Sequence, residues 1–224
     1  MTGSYTLSKT SDEANELLEF IGGTSDPLNP QLDFGSSSFD ARHRLTFIGN
    51  FKLSKDVIVT PIIRASSSLP FEIVQNHDFS EGAVTGFFRL PVLGRNAGNR
   101  QVHTGADVNR AIDSFNANPS LVMAHGGPLA HVDPNLDLSR PYFSLDLRVT
   151  KGFSFKEKAT LEFGIDAFNL FNHTNVMGLS SANSSGLQNN VETPNFGKPL
   201  GVLPGGMFGP NAPRAFKLIA KFSF

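Results

Sequence analysis

The sequence predicts an all-β fold: an antiparallel transmembrane β-barrel segment of about six strands, with short periplasmic turns and long extracellular loops. Three observations carry that expectation. Apolar residues recur with a period of two rather than 3.6. Short and long connections alternate along the chain. No run of roughly 18 apolar residues offers a spanning helix, so any crossing must be made by strands.

The elements follow in order. A first strand is expected near residues 3–9, where Tyr5 and Leu7 are in phase. A second, near 43–53, sets Leu45, Phe47, Gly49, Phe51 and Leu53 against Arg44, Thr46, Asn50 and Lys52. A third covers 57–69, with Arg64 on its polar side. The fourth, 142–155, places Phe143, Leu145, Leu147 and Val149 opposite Ser144, Asp146, Arg148 and Thr150. In the fifth, 158–171, Leu161, Phe163, Ile165 and Ala167 alternate with Thr160, Glu162, Gly164 and Asp166. The sixth, 213–224, aligns Phe216, Leu218, Ala220, Phe222 and Phe224 against Lys217, Ile219, Lys221 and Ser223. Each has room for the roughly 9–11 residues that cross a bilayer at a tilt.

Ser54-Lys55-Asp56 and Lys156-Glu157 read as hairpin turns, whereas the connections near 10–42, 70–141 and 172–212 are long. Barrel C-termini lie on the periplasmic side; counting back puts both turns there and every long loop outside. A soluble β-sandwich packing its apolar faces together is the alternative. Loops of this length are uncommon inside a compact domain. Two loop helices are expected. Ser11 caps one carrying Ala14, Leu17, Leu18 and Ile21, stopped by Gly22-Gly23. Asp107 caps the other, with Val108, Ala111, Ile112 and Phe115 aligned and Asn118-Pro119 ending it.

Composition narrows the function. Charged residues are 17% of the 224, against about 25% in ordinary soluble domains. A net charge of -1 gives no reason to expect a nucleic-acid partner. The absence of Cys excludes disulfides, Cys-ligated zinc and thiol catalysis, and suits passage through an oxidising periplasm. Residues 1–9 lack the basic start and apolar stretch of an export signal. Phe (21 residues) supplies the aromatic bulk that Tyr (2) and Trp (0) usually give a barrel's girdles.

Several segments carry a resemblance. Tyr5-Thr-Leu-Ser-Lys-Thr-Ser-Asp-Glu-Ala14, Phe39-Asp-Ala-Arg-His-Arg-Leu-Thr-Phe47 and Gly94-Arg-Asn-Ala-Gly98 are similar to marks of Oar-like (carboxypeptidase-regulatory-like) TonB-dependent outer-membrane receptors. So are Leu145-Asp-Leu-Arg-Val149, Ala167-Phe-Asn-Leu-Phe-Asn172 and the final strand after Pro213-Arg214. These cover the chain in order. The resemblance implies that residues 1–224 are the C-terminal portion of such a β-barrel, located in the cell outer membrane. Full-length members add an export signal, a further domain, a plug and a barrel of roughly 22 strands. It implies gated uptake of a bulky solute, with outer-membrane lipid, the barrel-assembly machinery and an unknown transported ligand as partners. TonB would be reached only through a plug absent from this chain.

The charges Arg44, Arg64, Asp146, Arg148, Glu162, Asp166, Lys217 and Lys221 lie opposite the Phe/Leu phase, so they are expected to face the lumen. Arg148 with Glu162, or Asp166 with Lys217, are candidate pairs. Phe216, Leu218, Phe222 and the terminal Phe224 resemble the signal read by the assembly machinery. His125 and His131 bracket Gly-Gly-Pro with His77, His103 and Asp133 in the same loop, but the spacing fits no recognised ligand set. His43 is expected to hydrogen-bond at the extracellular rim. No Asp-x-Asp-x-Asp-Gly ladder, phosphate-binding loop or Gly-x-Ser-x-Gly elbow occurs. The expectation is therefore no catalytic, metal or cofactor-binding residue, no cofactor, and no enzyme. A structural or adhesive barrel whose loops bind partners is the other reading.

Overall fold

The computed structural model describes residues 1–13, 30–77, 79, 89–155, 159–176, 187–199 and 212–224. Among the described residues nine strands and two α-helices follow one another. They are β1 (Thr2–Leu7), β2 (Ser11–Asp12), β3 (Gly35–Ser36), β4 (His43–Ile48), β5 (Phe51–Ser54), β6 (Val57–Ser66), α1 (Gly105–Asn116), α2 (Pro119–His125), β7 (Tyr142–Phe155), β8 (Ala159–Phe168) and β9 (Ala215–Ser223). β2 pairs only with β3. The other seven strands form one sheet in the order β1-β4-β6-β7-β8-β9, with β5 also on β6. All its pairs are antiparallel, and β4 and β5 lie end to end along the same side of β6. That is the up-and-down wiring of a barrel wall. Among the described residues no helix is long and apolar enough to cross a membrane.

The strand expected at 43–53 is two strands, interrupted at Gly49-Asn50. The cause lies across the ladder. The Gly49 N–H donates to the Pro61 carbonyl at 3.0 Å, so Pro61 turns its hydrogen-bonding edge toward that position. Pro has no N–H to return the bond, and the ladder lapses for one step. Pairing on the other side of β6 is unaffected, because Pro61 and Leu147 face each other as a non-hydrogen-bonded pair. Register survives the gap, since Phe47 opposes Ile63 and Phe51 opposes Val59. The Lys55-Asp56 turn then closes the hairpin with Asp56 at φ 66. The third strand stops at Ser66 rather than 69: the Ser67 N–H still donates to the His43 carbonyl at 2.9 Å, and Ser68 and Leu69 lead on into the loop layer. The fifth ends at Phe168, because Asn169 takes a positive φ of 46 and turns the chain. Residues 156–158, which hold the expected Lys156-Glu157 turn, lie outside the described residues.

Register separates two faces. Tyr5, Leu45, Ala65 and Phe143 form one row, and Val149, Ile165 and Leu218 another. Much of this apolar face is exposed: Leu218 keeps 81% of its surface and Phe222 60%. The hydrophobic core is elsewhere. Phe71, Ile73, Leu90, Val108, Ile112, Phe115, Leu138 and Phe196 belong to it, and every described member comes from the long loops. The loops therefore fold into a layer with its own buried centre, while the sheet leaves its apolar face to the surroundings. A β-sandwich would do the reverse.

Helix α1 supplies the inner face of that layer through Val108, Ala111, Ile112 and Phe115. Its N-cap is Thr104, not Asp107. Asp107 sits three residues in and returns a bond to the cap backbone, completing a capping box. Asn118 caps α2, Pro119 occupies its first position, and Gly126 ends it at φ 90. The face Ala14, Leu17, Leu18 and Ile21 of the helix expected after Ser11 falls outside the described residues; Ser11 itself is in β2.

Candidate functional site

The face opposite the apolar rows carries the charges. Arg148 holds Asp166 through two bonds, Nε to Oδ1 at 2.6 Å and a terminal nitrogen to Oδ2 at 2.8 Å. The two residues stand directly across from each other on β7 and β8. The next rung brings Lys217 opposite Asp166, and Lys221 stands opposite Glu162. Arg64 reaches diagonally to Asp146 at 2.8 Å, which also accepts from the Ser144 hydroxyl and the Asn169 N–H. So the expected Arg148–Glu162 pair is not the one formed: direct opposition favours Asp166, and Glu162 faces Gly152 on β7. Arg44 lies at the loop end of β4 and donates to the Phe39 carbonyl at 3.1 Å. With Lys52, this face bears six cations against three carboxylates among the described strand residues.

Lys151 breaks the opposite pattern. It follows Val149 in the apolar phase, opposite Val57 and Phe163. Val57 is the first residue of β6 after the Lys55-Asp56 turn, so Lys151 is level with the close of that hairpin, four residues before β7 ends at Phe155. Its ammonium lies 5.2 Å from the centre of the Phe153 ring. A long side chain at that height can carry its charge out to water.

Where the sheet meets the loop layer, the Phe39–Phe47 segment becomes interpretable. Asp40 is fully buried. It accepts from the Thr10 N–H at 2.9 Å, Arg42 Nε at 3.0 Å and Arg100 Nε at 3.1 Å. Burial opposes its ionisation, but these three donors outweigh it and hold the carboxyl below its ordinary range. His43 bonds the Tyr5 hydroxyl at 2.8 Å, at the rim. The Gly94–Gly98 motif is a second knot. Arg95 pairs with Asp12, and the Asn96 N–H and amide donate to Glu72 and the Ser36 carbonyl. Arg89 spans Asp33 at 3.1 Å and Glu72 at 2.6 Å. Burial raises the Glu72 carboxyl above its usual range despite Arg89 beside it. These ion pairs tie the 10–42 loop to the 70–141 loop.

A cavity of about 430 Å³ opens between the charged face and the loop layer. The sheet contributes Arg44, Thr46, Arg64, Ser66 and Tyr142 from the charged face, with Leu45 and Ala65 of the intervening positions, and the layer contributes Leu69, Asn99, Arg140 and Val176. Three arginines thus line it, with no carboxylate among the described lining residues. Asn99 is 5% exposed, takes a positive φ of 62, and donates its amide to the Leu69 carbonyl at 2.9 Å. Its Oδ1 is the one buried side-chain atom without a partner among the described residues. An acceptor left that way costs about 1–3 kcal/mol.

The sequence reading missed Asn99, Arg140 and Tyr142. Their only signal was position: Asn99 just after the Gly94–Gly98 motif, Arg140 just before a strand and Tyr142 at its first residue. Of the histidines, His77 and His125 pack edge to face with ring centres 6.3 Å apart; among the described residues no group of three or more acidic or histidine side chains is placed to hold a metal. His131 bonds Asp113 at 2.7 Å and His125 lies 3.3 Å from Glu192. Phe216, Leu218, Phe222 and Phe224 are exposed on the apolar side of the last strand.

Residues 1–202 match the family model described as an outer membrane beta barrel domain. Neither a curated protein nor a solved structure matches the chain.

Proposed function

Because this chain belongs to the family of outer membrane beta barrel domains and its place is the outer membrane, we propose that it forms part of a TonB-dependent transporter of the Oar-like kind. In this reading the exposed Phe/Leu face meets lipid and the charged face lines the lumen. The observation that carries it is the concavity on the charged side, roofed by the folded loops. A recess opening inward suits a solute on its way through; an adhesive barrel would offer its recognition surface outward. The loop layer's exposed side keeps that second reading alive, because α2 presents Met123 with 81% of its surface free.

The protein's task here is passage and gating, with no bond made or broken. Energy would arrive through a plug and TonB. Phe216, Leu218, Phe222 and Phe224 would serve assembly, presenting an aromatic edge to the machinery that inserts barrels. The test is uptake by cells carrying the complete gene, with and without TonB. Solute accumulation that collapses when TonB is removed supports transport. Cell attachment that persists without TonB, with no solute taken up, favours the adhesive barrel.

A further inference from the structure

We propose that the cavity between the charged face and the loop layer binds a small organic carboxylate that also carries an amide or hydroxyl donor. Its anion would sit on Arg44, its donor on Asn99 Oδ1, and its apolar part against Leu69 and Val176. This deepens the transport reading by naming the class of solute, and it rests on that reading only for what happens after binding.

Charge gives the sign. Arg64 is paired with Asp146 at 2.8 Å, and Arg140 lies 3.8 Å from Asp137. Arg44 also lines the cavity, and its bond is to the neutral Phe39 carbonyl. It is the one of the three with no carboxylate in ion-pair range among the described residues. A guanidinium presents five N–H groups in a planar fork that matches a carboxylate. The excess of cations on the same face would draw an anion toward it.

The unpartnered oxygen gives the second contact. Asn99 Nδ2 is committed to Leu69, which fixes the side chain and leaves Oδ1 as a pure acceptor. Only a donor satisfies it, and a carboxylate has none. The ligand therefore needs both features on one framework. Size excludes a bare inorganic anion as the best fit, because about 430 Å³ lies within the range of organic ligand pockets.

Hippurate (benzoylglycine) has a carboxylate, an amide N–H and an apolar ring, and serves as the probe. Titration calorimetry on the full chain folded in detergent should show one-site binding. Neutral hippuramide should bind about tenfold more weakly or worse, since a charge-assisted pair is lost. N-benzoylsarcosine, which lacks the N–H, should also bind more weakly than hippurate. Arg44→Gln should reduce hippurate affinity by a similar factor, whereas Lys55→Gln at the far turn should leave it unchanged. Should Arg44→Gln fail to fold, as judged by heat-modifiable gel mobility, the three probes on the parent protein decide the matter. Absence of hippurate binding, equal binding of hippuramide, or displacement of hippurate by equimolar inorganic phosphate would overturn the proposal. Binding needs no energy input, so the two readings separate. Hippurate binding with TonB-independent uptake sinks the transporter alone, and TonB-dependent uptake without hippurate binding sinks the site alone.

Discussion

At the scale of single residues, the side of the sheet decides what a charge costs. Leu147 stands in the apolar phase of β7, opposite Pro61 and Ala167. An arginine there would meet hydrocarbon that offers no acceptor and no counter-ion. We expect Leu147→Arg to cost about 2–4 kcal/mol if it lies near the bilayer midplane, and to block assembly. Lys217→Gln, one face away, keeps a polar side chain opposite Asp166 and should fold normally. Folding into lipid vesicles followed by heat-modifiable mobility compares the two; if Leu147→Arg folds like the parent, the facing has been assigned backwards. Lys151 shows why residue type alone does not reveal the facing. It shares the phase of Leu147 yet is tolerated, because what matters is depth, and depth follows from its alignment with Val57 beside the turn.

At the scale of elements, α1 illustrates how a short helix is held in an outer loop. The N–H groups of His103 and Thr104 and the Thr104 hydroxyl, with Arg110 alongside, hold the Asp107 carboxyl down to about 2. Its folded value is thus below the ordinary 3.8. Its contribution is fully present above about pH 4 and is lost as pH falls toward about 2. Asp107→Ala removes half of the capping box and should cost about 1 kcal/mol at neutral pH. The difference between parent and variant should shrink on acidification through that window, as read by denaturant titration of the loop layer. A difference that stays constant down to pH 2 would mean the carboxylate does not act through its charge.

Elements also mark where the sequence was legible. Period-two alternation located β6, β7, β8 and β9, since each stripe has one apolar side and a register slip would expose every charge. It could not show the break at Gly49-Asn50, because the cause, Pro61, sits on another strand. The helix face Val108-Ala111-Ile112-Phe115 was visible in spacing, while the cap was misplaced by three residues because Thr104 and Asp107 both suit that role. That the eight charged candidates share one face was readable from phase. The cavity was not, because Asn99, Arg140 and Tyr142 meet Arg44 only after the loops have folded over the sheet.

At the scale of the molecule, two solvents stabilise two layers. The loop layer buries Phe71, Phe115 and Leu138 away from water, so it depends on the ordinary hydrophobic effect. In the proposed reading the sheet has its apolar face in lipid and depends on backbone bonds that lipid cannot replace. Urea should therefore open the loop layer first. Hydrogen exchange in rising urea should release amides of residues 102–138 before those of 142–168, in protein held in bilayers. Simultaneous release would mean that the Asp40 and Glu72 knots fuse the layers into one cooperative unit. Lys151 has a further bearing on where the protein can live. From Lys151 to Phe143 on the same face is eight residues, which is ~26 Å along the strand and ~20 Å along the membrane normal at a tilt of about 40°. That span is somewhat less than the ~25 Å apolar band usual for such barrels. Phe153 and Phe155 continue the stripe past Lys151, so a slab bounded by the lysine leaves those two rings in the interface, and a thin bilayer such as a bacterial outer membrane suits that arrangement. Folding yield should accordingly rise as the acyl chains of the host vesicle are shortened, and a bilayer too thick would pull the lysine's charge below the surface.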